Sequence, residues 1–125
     1  MKKSLAEING VMGVRGSFIC DNRGAVIAGD APPGLDAEML DAIGREVVQM
    51  MVALQSAGEP TGELDLQYER GGLVVRDLDT AILIVLCQVQ TDLALLRMTI
   101  NVAVARLKQD KAAQRQLTAR AVERG

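Results

Sequence analysis

The chain has 125 residues and a formal net charge of −2, with one tyrosine, one phenylalanine, no tryptophan and no histidine. This length suits one domain that can bury a core without disulfides or metals. The lack of histidine removes the usual general base and the usual first zinc ligand, and the two cysteines, Cys20 and Cys87, lack zinc-site spacing. We expect both to be buried, reduced thiols; a disulfide would require that the ends of their strands be adjacent. No catalytic residue, metal or cofactor is predicted, and a binding module is favoured over an enzyme.

Basic residues are concentrated at the C-terminal end. Residues 108–125 hold five basic and two acidic side chains, which leaves residues 1–107 with a net charge of −5. The body of the chain is therefore not expected to attract nucleic acid. No apolar run approaches the length that spans a bilayer, and residues 1–7 do not form a secretory signal, so we expect a cytoplasmic protein without integral membrane association.

The N-terminal third predicts a short helix and then a β-hairpin. Ser4 and Glu7 have the spacing of a capping box, which satisfies two amides at a helix start. Residues 14–20 and 25–28 are predicted strands, joined by a turn in which Gly24 adopts positive φ.

A long second helix is predicted between a cap at Asp36 and a stop near Ala57. Gly44 costs this helix about 1 kcal/mol relative to alanine, so we expect it to let another helix approach closely. The alternative is that the methionine and valine side chains of the helix pack under a loop. The apolar stripe that we expect to face the sheet is Met39, Ile43, Val47, Met50 and Leu54. A second set widens the apolar arc of the helix: Leu40, Gly44, Val48, Met51 and Val52.

Three further strands are predicted at residues 64–69, 73–76 and 81–87. The first alternates between apolar and polar residues, which indicates one buried face, whereas the third is wholly apolar and suits the middle of a sheet. Because the turns between them are short, we expect the three to be antiparallel neighbours.

The last helix is predicted from a cap at Thr91 to about residue 108. It is apolar on two sides, so its second stripe needs a cover, either another helix or another chain. We expect Leu5 and Ile8 of the first helix to provide it. The first stripe is Leu93, Leu96, Ile100, Ala103, Val104 and Leu107, and the second is Leu95, Met98 and Val102.

Several motifs, in their order and spacing, resemble the Roadblock family (dynein light chain Roadblock type), most closely its short, single-domain, MglB-like prokaryotic members. The resemblance covers roughly residues 4–107, so residues 1–108 are interpreted as the domain and 109–125 as a charged tail, helical or disordered. The motifs are Leu5-x-x-Ile8 before Gly13-Val14-Arg15-Gly16, Asp21-x-x-Gly24-x-Val26-Ile27, Leu35-Asp36, Gly62-Glu63-Leu64, and residues 83–86 before Leu93-x-x-Leu96-Arg97.

This resemblance implies an α+β, Roadblock/profilin-like fold. Its elements follow the order helix-strand-strand-helix-strand-strand-strand-helix, with the long helix on one face of a five-stranded antiparallel sheet and two helices on the other. It also implies a homodimer in which the edge strands pair and the central helices pack together. The residues predicted at that interface are Gly44, Val48, Met51, Leu64, Asp65, Leu66, Gln67, Tyr68 and Glu69.

The function implied by the resemblance is a homodimeric, non-enzymatic regulator or signalling scaffold that binds a Ras-like small GTPase, with MglB-like GTPase activation. Such a regulator can rearrange the switch residues of the GTPase itself, so neither Arg45 nor Arg97 is assigned a catalytic role. Two alternatives stay open: a structural adaptor without a GTPase, and a small-molecule sensor. The predicted GTPase-binding surface is Glu38, Arg45, Gln49, Val52 and Gln55.

Overall fold

A computed structural model describes residues 1–29, 33–89, 91–110 and 115. The strands form one antiparallel sheet in the order β2-β1-β5-β4-β3, which confirms the predicted fold class. Most of the predicted tail lies outside the described residues. The elements are α1 (Lys2–Asn9), β1 (Val14–Cys20), β2 (Val26–Gly29), α2 (Ala37–Ser56), β3 (Glu63–Tyr68), β4 (Gly71–Asp77), β5 (Ile82–Cys87) and α3 (Leu93–Gln109).

The apolar strand β5 lies in the centre of the sheet, as predicted, and every one of its residues is buried. Its side chains alternate between two cores because successive residues of a strand point to opposite faces. Ile84 packs in the core beneath α2, and Val85 packs in the core beneath α1 and α3. The long helix therefore covers one face and the two shorter helices cover the other, as the resemblance implies.

The two cysteines are free and buried, as expected. Cys20 ends β1 opposite Ile82, whereas Cys87 lies opposite Val14 at the other end of the same strand pair. They also belong to different cores. This separation rules out a disulfide between them in this fold.

Helix α2 begins as predicted, with Asp36 Oδ1 accepting a hydrogen bond of 2.8 Å from the amide of Met39. The face that it turns to the sheet differs from the prediction: Leu40 and Met51 are buried there, and Met39 is about half exposed. The hairpin sets this rotation, since the amide of Val26 donates to Asp41 Oδ1 at 3.1 Å and ties the helix to β2.

Gly44 is buried against the β1–β2 turn of the same chain. A side chain at Gly44 would meet the backbone of Gly24, and one at Gly24, where φ is +92°, would meet the backbone of Arg45 at 2.5–2.7 Å. Gly44 therefore faces a turn of its own chain and not another helix. The alternative that methionine and valine pack under a loop holds for Met51, which is buried, but not for Val52, which is 57% exposed.

Two predicted helix caps are wrong. Helix α1 begins one turn earlier than expected, so Ser4 lies inside it and is buried. At α3, the carboxylate of Asp92 accepts a hydrogen bond from the amide of Leu95 at 3.1 Å, while the Thr91 hydroxyl donates to the carbonyl of Gln88. The aspartate, one residue nearer the helix, takes the role predicted for Thr91.

The second apolar stripe of α3 is not covered by α1, contrary to the prediction. Leu5 and Ile8 pack instead in the core that contains the first stripe, including Leu96 and Ile100. Helix α1 thus completes the core at the side of α3 and leaves its outer surface open, with three apolar residues exposed there: Leu95, Met98 and Val102.

Candidate partner-binding surface

The outer ridge of α2 carries the five residues predicted to contact a GTPase, and all five are exposed or half-buried. At 100° per residue, four of them share the side that points away from the sheet: Glu38, Arg45, Gln49 and Val52. Val52 is 57% exposed. The fifth, Gln55, is turned to one flank, where its Nε2 donates to the hydroxyl of Thr61 at 2.7 Å. Their contact with a partner stays a prediction.

This helix is acidic. It contains Glu38, Asp41 and Glu46 but only one basic residue, Arg45. Two of these carboxylates, Asp41 and Glu46, lie off the ridge, which itself carries one acidic and one basic residue, Glu38 and Arg45.

One flank of α2 forms a groove with the end of the sheet at which β3 turns into β4. The groove holds about 370 Å³, and its apolar walls are Ile43, Val47 and Met50 of the helix and Leu66, Leu73 and Leu86 of the sheet. Arg15, Glu46, Tyr68 and Arg70 also line it. The sequence pattern assigned Ile43 and Met50 to the core because helical periodicity shows which residues are apolar, not which of them a partner could reach.

The opposite flank of α2 carries three residues that were predicted at the dimer interface: Gly44, Val48 and Met51. Val48 and Met51 line a smaller pocket of about 260 Å³ with residues of the β1–β2 turn and of the β4–β5 connection, including Asn22 and Asp79. Gly44 and Met51 are buried by the chain itself. The contact of these residues with a second copy, together with the edge strand, stays a prediction.

Strand β3 forms one edge of the sheet. It pairs with β4 in unbroken register over all six residues, and within the described chain no strand pairs with its outer side. Leu64 and Leu66 are half-buried, and Tyr68 is 58% exposed. The strand contains neither proline nor a bulge, so its outer backbone groups are available for pairing with another strand.

Asp65 fastens this edge strand to its neighbours on the face opposite α2. Its carboxylate accepts hydrogen bonds from Arg76 at 2.9 Å and from Arg97 of α3 at 2.9 Å. Burial acts to raise the pKa of Asp65, but the hydrogen bonds and positive charges of the two arginines outweigh it and lower the pKa below the ordinary value of 3.8. Asp65 therefore stays ionised near neutral pH and links β3 to β4 and to α3.

Neither a metal-binding cluster nor an activated thiol occurs in the part of the chain that the structure describes. No group of three or more cysteine, aspartate or glutamate side chains there could hold a metal ion. Burial raises the pKa of Cys20 to about 12 and also raises that of Cys87, so both thiols stay protonated and weakly nucleophilic. None of the described helices is both long and apolar enough to cross a membrane.

Proteins similar to this chain in sequence occur in Methanocaldococcus jannaschii. No model of a known protein family matches it. The uncharacterized proteins MJ1340 and MJ0310 of Methanocaldococcus jannaschii are each 31% identical to it over 113 residues, which is 83% of this chain and 93% of either relative.

Several solved structures have a fold similar to that of this chain. A Roadblock/LC7 domain from Streptomyces avermitilis matches with a TM-score of 0.75 at 16% identity, over 87% of this chain and 95% of that one. The gliding protein MglB from Thermus thermophilus matches with a TM-score of 0.75 at 24% identity, over 86% and 85%. Profilin IA of Acanthamoeba castellanii is more distant, with a TM-score of 0.55 at 12% identity, over 86% and 93%. The chain therefore belongs to the same family as the two Methanocaldococcus proteins, and its fold is that of the Roadblock/LC7 domain, as the sequence motifs predicted.

Proposed function

We propose that this protein is a homodimeric, non-enzymatic regulator or scaffold that binds a Ras-like small GTPase and modulates its GTPase cycle. The observation that carries the proposal is the open edge of β3 beside an accessible apolar flank of α2, in a chain with the fold of MglB. Dimerisation at this edge would leave the outer ridge of α2 exposed for the GTPase.

The dimer forms by pairing β3 with β3 of a second copy. An unblocked edge strand is an aggregation hazard unless it is paired, and an antiparallel pair of identical strands closes with twofold symmetry. The seam brings Leu66 and Tyr68 to the partner and extends over Ile43, Glu46 and Met50 of α2, which share the groove with them. The helix residues predicted at the interface from the sequence, Gly44, Val48 and Met51, lie on the other flank of α2.

The GTPase binds the ridge defined by Glu38, Arg45, Gln49 and Val52. The ridge supplies an exposed apolar residue between charged and amide side chains, the composition of a protein contact with a polar rim. In a twofold dimer the two ridges form one continuous platform. A basic side chain donated to the nucleotide is not required, since a platform can act by selecting one arrangement of the GTPase switch loops.

The dimer is tested by sedimentation equilibrium of the wild type and of Tyr68→Asp. The wild type should sediment as a dimer, and the variant should dissociate at least about tenfold more readily, because a charge would be buried at each end of the seam. Met98→Asp, a similarly exposed position on the other face of the sheet, is the matched control and should remain dimeric. A wild-type monomer, or equal dissociation of both variants, would contradict the proposed interface.

GTPase binding is tested by capture from a lysate loaded with either GDP or a non-hydrolysable GTP analogue. We expect the wild type to retain a small GTPase in one nucleotide state and Val52→Glu to lose at least about tenfold of that retention, since a charge would be buried in the contact. Met98→Glu is again the control. Equal recovery of a partner other than a GTPase in both nucleotide states would favour the structural adaptor.

A further inference from the structure

A small pocket lies on the flank of α2 that is turned away from the groove. It combines apolar side chains with carboxylates, and its eight residues, which we call the notch, are Asn22, Val48, Met51, Val52, Gln55, Asp77, Asp79 and Ile82. The apolar members come from α2 and β5, and the two aspartates come from the end of β4 and from the connection to β5. The notch therefore offers both apolar contact and negative charge.

The negative charge of the notch is not balanced by a described residue. Neither Asp77 nor Asp79 forms an ion pair within the described part of the chain. The basic residues of the adjoining turn and helix, Arg23 and Arg45, do not line the notch. Two carboxylates thus border this pocket without a basic side chain among its lining residues.

Lys108 approaches the two aspartates but does not pair with them. It lines a neighbouring hollow that Asp77 and Asp79 also border, and it forms no ion pair with either. The same hollow contains the carboxylate of Glu63 and one further basic residue, Arg76, which is held by an ion pair of 2.9 Å to β3. Acidic side chains therefore remain in excess here, in a body that carries a net charge of −5 over residues 1–107.

The size of the notch suits one long side chain. Its volume is about 260 Å³. An apolar cavity of about 150 Å³ holds a benzene ring, whereas sites for drug-sized molecules begin at about 300 Å³. Arginine and lysine carry a charged head on an apolar stem, so either side chain matches a pocket with apolar walls and two carboxylates.

We propose that the protein partner bound on the α2 ridge inserts an arginine or lysine side chain into the notch, with its stem against Val48 and Met51 and its charged head at the two aspartates. Val52 belongs to both the ridge and the notch, so a partner that contacts the ridge also lies at the notch. The proposed dimer seam uses the opposite flank of α2 and leaves each notch open. The identity of the partner, a Ras-like small GTPase, rests on the proposed function.

The notch is tested without a partner by nuclear magnetic resonance of the full chain, titrated with N-acetyl-arginine amide. We expect chemical-shift changes confined to the notch, at the methyl groups of Val48 and Met51 and at the amide of Asp79, and we expect them to weaken at high salt. N-acetyl-citrulline amide, which has nearly the same shape without the charge, should produce changes at least about fivefold smaller.

Neutralising both aspartates should remove this discrimination between arginine and citrulline. In Asp77→Asn/Asp79→Asn we expect the changes caused by N-acetyl-arginine amide to fall to the level seen with N-acetyl-citrulline amide. Residue 79 has φ of +72°, a conformation that asparagine tolerates as well as aspartate does, so the variant should keep the wild-type spectrum outside the notch.

The second measurement is capture of the small GTPase from the nucleotide-loaded lysate. Asp77→Asn/Asp79→Asn should retain at least about tenfold less GTPase than the wild type, because it removes both carboxylates that receive the charged head. Glu59→Gln/Glu63→Gln changes the net charge equally at two carboxylates outside the notch and should retain as much GTPase as the wild type.

The outcomes distinguish the notch from the proposed function. Absence of localised shift changes with N-acetyl-arginine amide, or changes that persist in Asp77→Asn/Asp79→Asn, would overturn the notch as a binding site. A GTPase that both double variants retain equally would also overturn it while leaving the proposed function intact. Arginine-specific changes in a protein that captures no GTPase in either nucleotide state would support the notch as a receptor for a basic side chain and contradict the proposed function.

Discussion

Replacing Gly44 with alanine tests how the chain positions its partner-binding helix. In an ordinary helix interior this change stabilises by about 1 kcal/mol, because alanine loses less backbone entropy than glycine on folding. Here the added Cβ would lie 3.1 Å from the carbonyl carbon and 3.3 Å from the Cα of Gly24, and closer still to its carbonyl oxygen. Those atoms are backbone, so the turn or the helix must move, which costs about 1–3 kcal/mol as overpacking does.

We therefore expect Gly44→Ala to lower the free energy of unfolding by up to about 2 kcal/mol, since the clash at least offsets the gain in helix propensity. Urea unfolding followed by circular dichroism measures it. Ala53→Gly, at an exposed position of the same helix, is the control for propensity alone and should cost about 1 kcal/mol. A Gly44→Ala protein more stable than the wild type would refute the close packing of α2 on the β1–β2 turn.

Two further predictions concern the charged and thiol groups. Asp65→Asn should lower the free energy of unfolding by about 2 kcal/mol near pH 7, because it leaves the buried Arg76 without its anionic partner. A fully buried ion pair would lose more, but the Asp65 side chain is 24% exposed. Since the pKa of Asp65 is lowered in the folded state, its stabilisation is complete above pH 3.8 and is lost as the pH falls through the folded pKa, so the variant should approach the wild type in urea titrations at lower pH. Cys20 and Cys87, with raised pKa values, should resist a thiol-reactive disulfide reagent at mildly alkaline pH in the native protein and react fully in guanidinium chloride.

The control for Asp65→Asn is a neutralised carboxylate that has no ion pair among the described residues. Glu63→Gln, on the same edge strand and exposed, should change stability by less than about 0.5 kcal/mol at any pH. A loss in Asp65→Asn that is as large in strong acid as at neutral pH would show that the effect is not electrostatic. Rapid labelling of either native cysteine would show that its strand end opens to solvent.

The sequence predicted the sheet and its order of elements well because burial patterns there are local. The uninterrupted apolar run of β5 could only lie between other strands, and the turn at Gly24 had a composition that fixes its conformation. Strand bounds differed by one or two residues, as at β2, which begins at Val26. Such differences follow from pairing across the sheet, which no single strand encodes.

The helices were harder because their rotation depends on tertiary contacts. The apolar arc of α2 exceeds half its circumference, so periodicity alone could not distinguish Leu40, which is buried, from Met39, which is not. The rotation that buries Leu40 goes together with the hydrogen bond from the amide of Val26 to Asp41, which joins residues 15 positions apart. The candidate site was also mispredicted because periodicity does not show tertiary contacts. Gly44 was assigned to a contact with a partner, but the backbone of Gly24 in the same chain packs against it.

The most direct test of the central claim is the rate of GTP hydrolysis by the captured small GTPase, measured with increasing amounts of this protein. We expect the rate to rise to a plateau, with Val52→Glu requiring at least about tenfold more protein and Tyr68→Asp losing effect in proportion to its monomer fraction. Met98→Glu should act like the wild type. An unchanged rate at saturating wild-type protein would contradict GTPase activation, and an effect retained equally by Val52→Glu would contradict the assignment of the α2 ridge.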